Sequence, residues 1–177
     1  LVGVEITAGE HDILLFSSAG KSIRFRESDV RSVGRTAIGV RGIRLADKDK
    51  VVSLIVAESD DPILTATEKG YGKRTQLDEY RAQARGGSGV ISIKTSERNG
   101  QVVGAIQVTD EDEMMLISDK GTLVRARALD VSIIGRNTQG VTLINIADDE
   151  ALVSVAKIAE TEDDEDESEE VVENSED

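Results

Sequence analysis

The 177-residue chain contains no cysteine, which excludes disulfide frameworks, thiolate metal centres and cysteine nucleophiles. Its one histidine, His11, leaves no basis for a multi-histidine metal cluster. Only four aromatic residues are present (Phe16, Phe25, Tyr71 and Tyr80), too few for a platform on which unpaired bases could stack. The single proline, Pro62, stands just before an apolar stretch and so removes no ladder hydrogen bond from it. No apolar run approaches the roughly 20 residues needed to span a bilayer as a helix. Glu5, Glu10 and Asp12 occupy a start that a secretory leader would make basic and then apolar. With Leu1 in place of an initiator methionine, the composition points to a soluble, intracellular segment of a longer polypeptide.

What the chain does have is acid, and the acid is uneven. The 35 acidic residues outnumber 21 basic ones, for a net charge of −14. From Ala159 to Asp177 there are 12 acidic residues and no basic one, so 23 acidic and 21 basic residues share positions 1–158. The acidity is a property of the tail, which has almost nothing apolar to bury and is expected to be disordered. Such a tail serves either as a solubility appendage or as an internal polyanion that competes for a basic surface.

The body repeats at a spacing of 50 and then 51 residues. Gly20, Gly70 and Gly121 form one set; Arg24, Arg74 and Arg125 another; Arg35, Arg85 and Arg136 a third. Gly39-Val40, Gly89-Val90 and Gly140-Val141 follow, with Ile43, Ile93 and Ile144 after them. Val51-Val52, Val102-Val103 and Leu152-Val153 close the units, and Leu1-Val2 fits that last set one period earlier. Residues 1–10 are therefore expected to be the last strand of a preceding unit, with an exposed sheet edge at Leu1–Thr7. Residues 11–60, 61–110 and 111–158 would be successive repeats, and 159–177 the tail.

Each unit reads as four short strands. A compact apolar run (Ile13–Phe16, Ile63–Ala66, Met114–Ile117) suits a strand covered on both faces. A turn closed by glycine follows, where a residue at positive φ is needed. The next strand alternates, with Ile23 and Phe25 on one side and Arg24 and Arg26 on the other. A longer connection then leads to the Gly-Val strand, and the Val-Val strand completes the unit. No stretch has capped helical periodicity. The expected fold is all-β, a propeller-like array of about three four-stranded blades plus one leading strand.

Recurring Gly, Val and Ile are explained by packing; recurring outward-facing arginines are not. Arg24, Arg74 and Arg125, extended by Lys21, Arg26, Lys73 and Arg127, are expected to lie on the solvent side of the second strand. Arg35, Arg85 and Arg136, joined by Arg31 and Arg81, fall in the crossover. These twelve cations read as a stripe on the rim of every blade that would hold phosphate by forked hydrogen bonds. The competing reading pairs each arginine with a recurring acid (Asp29, Glu79 or Asp130) and leaves surface ion pairs that contribute little. A curved basic rim would suit a bent duplex, the bending energy being offset by added contacts.

The phrases Gly34–Val40 and Gly135–Val141 (both Gly-Arg, three residues, Gly-Val), Tyr71–Arg74 and Gly89–Lys94 closely resemble the C-terminal domain of the bacterial DNA gyrase A protein. Gln83-Ala-Arg-Gly-Gly-Ser-Gly89 matches five of seven residues of that family's Gln-Arg-Arg-Gly-Gly-Lys-Gly hallmark, with Ala84 and Ser88 in place of basic residues, and reads as a degenerate internal copy. The resemblance covers essentially all of residues 1–158. It implies a β-pinwheel that wraps double-stranded DNA around a positive edge, here roughly the second half of one. It implies a type II topoisomerase as parent, with ATP-dependent negative supercoiling, in the bacterial cytoplasm at the nucleoid. It further implies two partners, the remainder of the gyrase A protein and the gyrase B protein, in an assembly of two copies of each, and no membrane partner. No cofactor is expected in this segment; ATP and magnesium would be bound elsewhere in the parent. No catalytic residue is expected either. Tyr71 and Tyr80 read as packing residues, Gly86-Gly87 lacks the Gly-Lys-Ser/Thr of a phosphate loop, and Asp110–Glu113 reads as a solvated hairpin without a metal. Two alternatives stand beside this reading: a propeller used for protein recognition, and the equivalent domain of topoisomerase IV, which the strict period and long tail favour less.

Overall fold

A computed structural model describes residues 1–159. The acidic tail, expected to be disordered, lies outside the described residues. In the first repeat β1 (Asp12–Ser17), β2 (Lys21–Arg26) and β3 (Val51–Ala57) form an antiparallel sheet. The second repeat supplies β4 (Ile63–Thr67), β5 (Tyr71–Thr75), the two-residue β6 (Val90–Ile91) and β7 (Val102–Gln107). The third supplies β8 (Glu113–Ser118), β9 (Leu123–Arg127), the two-residue β10 (Val141–Thr142) and β11 (Leu152–Lys157). A short 3-10 turn (Glu27–Asp29, Leu77–Glu79, Ala128–Asp130) follows the second strand of each repeat.

The sheet orders are β3-β1-β2-β6, β10-β5-β4-β7 and β11-β8-β9. The Gly-Val strand therefore does not complete its own unit. β6 crosses from the second repeat to pair with β2 of the first (Lys21 opposite Ile91), and β10 crosses from the third to pair with β5 of the second (Tyr71 opposite Thr142). A period fixes how far apart equivalent strands lie in the chain and is silent on which copy each one joins. Each blade boundary is thus laced by backbone hydrogen bonds. Ser92 and Ile93 donate to the Gly20 carbonyl, and Leu143 and Ile144 donate to the Gly70 carbonyl. Among the described residues Gly39-Val40 pairs with no strand and β9 carries no fourth strand.

β3, β7 and β11 form the inner edges and pack against one another, which leaves β6 and β10 on the outside. The core fills the spaces between blades. Leu14, Phe16, Ile55, Ile63, Leu77, Tyr80 and Ala105 pack between the first two, with the Tyr80 ring edge-on to Phe16 at 5.8 Å. Leu64, Met114, Leu116 and Leu152 do the same between the second and third. Each such side chain contributes about 1.5–3 kcal/mol by leaving water, so a blade is stabilised largely by its neighbour. The packing role read for Tyr80 is what the structure shows; Tyr71 instead sits half-exposed at the start of β5 under the guanidinium of Arg98. Leu1–Thr7 belong to no sheet, and Leu1, Val2, Val4 and Ile6 are exposed. That segment finds no strand to ladder with; Gly3 rests against Leu54, and Thr7 hydrogen-bonds Glu27.

Candidate nucleic-acid interface

Two members of each recurring arginine set, Arg24 and Arg74 in one and Arg85 and Arg136 in the other, span blade boundaries. Arg24 projects from β2, where its Nε donates to Asp12 Oδ2 at 2.6 Å. Its Nη1 donates forward to the carbonyls of Leu77 (3.0 Å) and Tyr80 (3.4 Å) in the 3-10 turn of the second blade. Arg74 repeats this one blade on, its Nε donating to the Val131 carbonyl at 2.8 Å. Its carboxylate partner differs, because Pro62 stands where the first blade has Asp12 and the third has Glu113; Arg74 pairs with Asp110 instead. Arg125 pairs with Glu113 and is exposed.

The crossover arginines reach the other way. Arg85 donates back to the carbonyls of Asp29 (3.2 Å) and Arg41. Arg136 donates to the Ile91 carbonyl at 2.8 Å, and Glu79 accepts from the Arg136 backbone N–H at 3.1 Å. Arg41 and Ile91 are one period apart, so the guanidinium-to-carbonyl contact is repeated, while Asp29 and Glu79, also one period apart, are met differently, by carbonyl and by carboxylate. Arg35, the first copy, is exposed and has no such acceptor among the described residues.

Lys73 departs furthest from expectation. It occupies the inward position held by Ile23 in the first blade and Val124 in the third, and its side chain is fully buried. Its Nζ donates to the carbonyls of Gly135 (2.6 Å) and Arg136 (2.7 Å). Burial, helped by the nearby Arg136 charge and opposed by Glu79, pulls its pKa down to about 8.

The outward-facing placement expected of the cations therefore fails for Lys73 and for Arg74, which is 3% exposed. Arg74 is not open to solvent, because the crossover of the next repeat runs along the edge of β5 beside it: Ile134 N–H donates to the Arg74 carbonyl, and Arg74 bridges to Ile133. Arg24 is largely covered for the same reason. Arg26 is exposed and shares Asp12 at 3.2 Å, while Arg127 pairs with Asp130 at 2.9 Å. Lys21, Arg31, Arg35 and Arg81 are exposed and make no ion pair among the described residues.

Further exposed cations share that condition, among them Arg41, Arg44, Lys48, Lys94 and Arg98. Recurrence in every copy passes over them, since none of these positions is basic in all three repeats. The loop contacts gather them. Arg44 N–H donates to the Gly87 carbonyl at 2.8 Å and Gly86 N–H to the Gly42 carbonyl at 2.6 Å, so Arg41 and Arg44 lie beside the Arg81–Arg85 loop. Among the described residues there is no cluster of three or more histidines, cysteines or carboxylates fit to hold a metal ion, and no helix is long and apolar enough to cross a membrane. What the first two blades offer chemically is a set of exposed cations that no carboxylate among the described residues pairs with.

A strand-exchanged β-array with such a surface defines a class of propeller-like modules, and the sequence places this chain within it. It belongs to the family described as DNA gyrase C-terminal domain, beta-propeller, matched three times over residues 11–58, 61–109 and 112–159. It is 59% identical over 165 residues to the DNA gyrase A protein of Klebsiella oxytoca, covering 93% of this chain and 19% of that one. Identity to the DNA gyrase A protein of Escherichia coli K12 is 57% over 166 residues, covering 94% and 19%. The chain thus spans about a fifth of the length of these relatives. A solved DNA gyrase A C-terminal domain superposes with a TM-score of 0.79 at 31% identity, over 85% of this chain and 51% of that one. The C-terminal domain of a DNA topoisomerase IV superposes with a TM-score of 0.83 at 27% identity, over 89% and 49%.

Proposed function

We propose that this chain is the non-catalytic part of a type II topoisomerase that holds and bends duplex DNA along its outer edge. The observation that carries the proposal is the group of exposed cations on the first two blades that no carboxylate among the described residues neutralises. Guanidinium and ammonium groups of this kind bind phosphate oxygens whatever the base sequence, and they position a duplex without reading it. Family membership supports the same reading, as do sequence relatives at 57–59% identity that are gyrase A proteins. In the parent enzyme, ATP and magnesium would be handled elsewhere, by the remainder of the gyrase A protein and by the gyrase B protein, in the bacterial cytoplasm at the nucleoid. The acidic tail would compete with DNA for the rim.

Fluorescence anisotropy with a random-sequence duplex tests this. Neutralising about six to nine phosphates makes log affinity fall with log salt at a slope of about −5 to −8, equally for unrelated sequences. A flat salt response, or dependence on one sequence, overturns the proposal.

A further inference from the structure

Resting on that reading, we infer that the grip on DNA is graded along the chain: the first blade holds most, the second holds less, and the third makes no phosphate contact of its own. Of the arginines shared by all three copies, Arg24, Arg74, Arg85 and Arg136 are already engaged between blades and Arg125 is held by Glu113, so apart from Arg35 they are not the ones that measure the grip. The informative positions are those that change. Arg31, Arg44 and Lys48 of the first blade become Arg81, Lys94 and Arg98 in the second, and Ser132, Asn145 and Asp149 in the third. All nine are exposed, so the positions stay on the surface while their charge disappears and finally reverses. Lys21 gives way sooner, to Tyr71 and then Thr122. The Arg98 guanidinium lies 4.9 Å from the Tyr71 ring centroid, so in the second blade one cation serves the places that Lys21 and Lys48 fill separately in the first.

The ion pairs set the third repeat apart from the first two, in which, among the described residues, only Arg24, Arg26 and Arg74 face a carboxylate. Every cation of the third repeat is matched to a carboxylate: Lys120 to Asp149, Arg125 to Glu113, Arg127 to Asp130, Arg136 to Glu79 and Lys157 to Asp112. Residues 11–60 hold nine basic and seven acidic side chains, whereas residues 111–158 hold five and eight. A cation that already faces a carboxylate gains little from a phosphate, because the acid must be displaced or its repulsion carried along. A duplex lying along this edge is therefore held at the first blade and loosens towards the third, which gives the track a direction.

The test uses the full chain, a 30-base-pair random duplex and salt titrations of two variants with unchanged thermal melting. R31Q/R44Q removes two rim cations of the first blade. The second variant, R125Q/E113Q/R127Q/D130N, removes two cations of the third together with their partners, at no change in net charge. The first is expected to weaken binding about tenfold near 100 mM salt and to reduce the steepness of the salt slope by about two, one for each lost phosphate contact. The second is expected to change affinity less than about twofold and to leave the slope in place. Equal losses from both variants, or a larger loss from the second, overturn the gradient while leaving DNA binding intact. Absence of salt-dependent binding by the unaltered chain overturns the DNA reading and the gradient with it.

Discussion

A guanidinium that crosses a blade boundary to reach backbone carbonyls does more than a surface ion pair, because it satisfies acceptors that water cannot easily reach. Arg74 is the sharpest case, buried with its Nε on the Val131 carbonyl. R74A should destabilise by about 2 kcal/mol, since it leaves the buried Val131 carbonyl unpaired while Asp110 stays solvated, whereas R125A at the exposed equivalent should change stability by less than about 1 kcal/mol. Urea unfolding of the two variants side by side checks the difference. Lys73 makes a second residue-scale prediction. Its pKa is lowered from 10.5 to about 8, so between those limits the folded state binds fewer protons than the unfolded state and stability rises with pH. Relative to K73M, the unaltered chain should therefore gain on the order of 2 kcal/mol between pH 7 and pH 10; an unchanged difference in urea midpoints would refute it. Both arginine sets were visible in the sequence as recurrences. The burial of Arg74 and the covering of Arg24 were not, since strand alternation tells which side a residue takes and nothing of what covers that side. For Lys73 a signal did exist: its counterparts Ile23 and Val124 are apolar, which marks the position as inward.

At the scale of the strand and its turn, the same motif occurs with and without a neighbour laid against it. Gly70 (φ +76°) closes the β4–β5 turn, and a Cβ added there would lie 2.3 Å from the carbonyl oxygen of Ile144, just after β10. Gly121 (φ +88°) closes the β8–β9 turn with nothing within 4 Å of the same added atom. G121A should cost about 1 kcal/mol, the usual penalty for a side chain at positive φ. G70A carries that penalty and also forces β10 off β5, so its melting temperature should fall well below that of G121A. Comparable losses in both would mean that the laced strand adds little. The glycine period, the apolar runs and the turn chemistry were legible in the sequence and foretell the strands. Exchange of β6 and β10 between repeats was not legible, because a two-residue strand carries almost no pattern and the hydrogen bonds that place it belong to the backbone.

For the molecule as a whole, charge is the coarse variable that sequence shows best. Twelve carboxylates beyond Ala159 face a body in which acid and base nearly balance. At low salt a chain ending at Ala159 should bind duplex several-fold more tightly than the full chain, because a tethered anion acts at high effective concentration. Unchanged affinity in anisotropy titrations would end the idea of competition. Repetition singles out arginines of which Arg24, Arg74, Arg85 and Arg136 tie blades together, while most of the exposed cations that pair with no carboxylate among the described residues, such as Arg41, Arg44 and Lys94, stand at positions that vary between copies.

Strand exchange also means that the unit copied in the gene and the unit folded in space are out of step. Excising residues 61–110 would set the β10 segment of the third repeat beside β2 of the first, leaving a shorter array with every seam still sewn. Loss of half a period would orphan one lace and strand its acceptor. An array built this way can change length only in whole stitches, so its curvature, and the arc of any rod lying against it, can change only in steps.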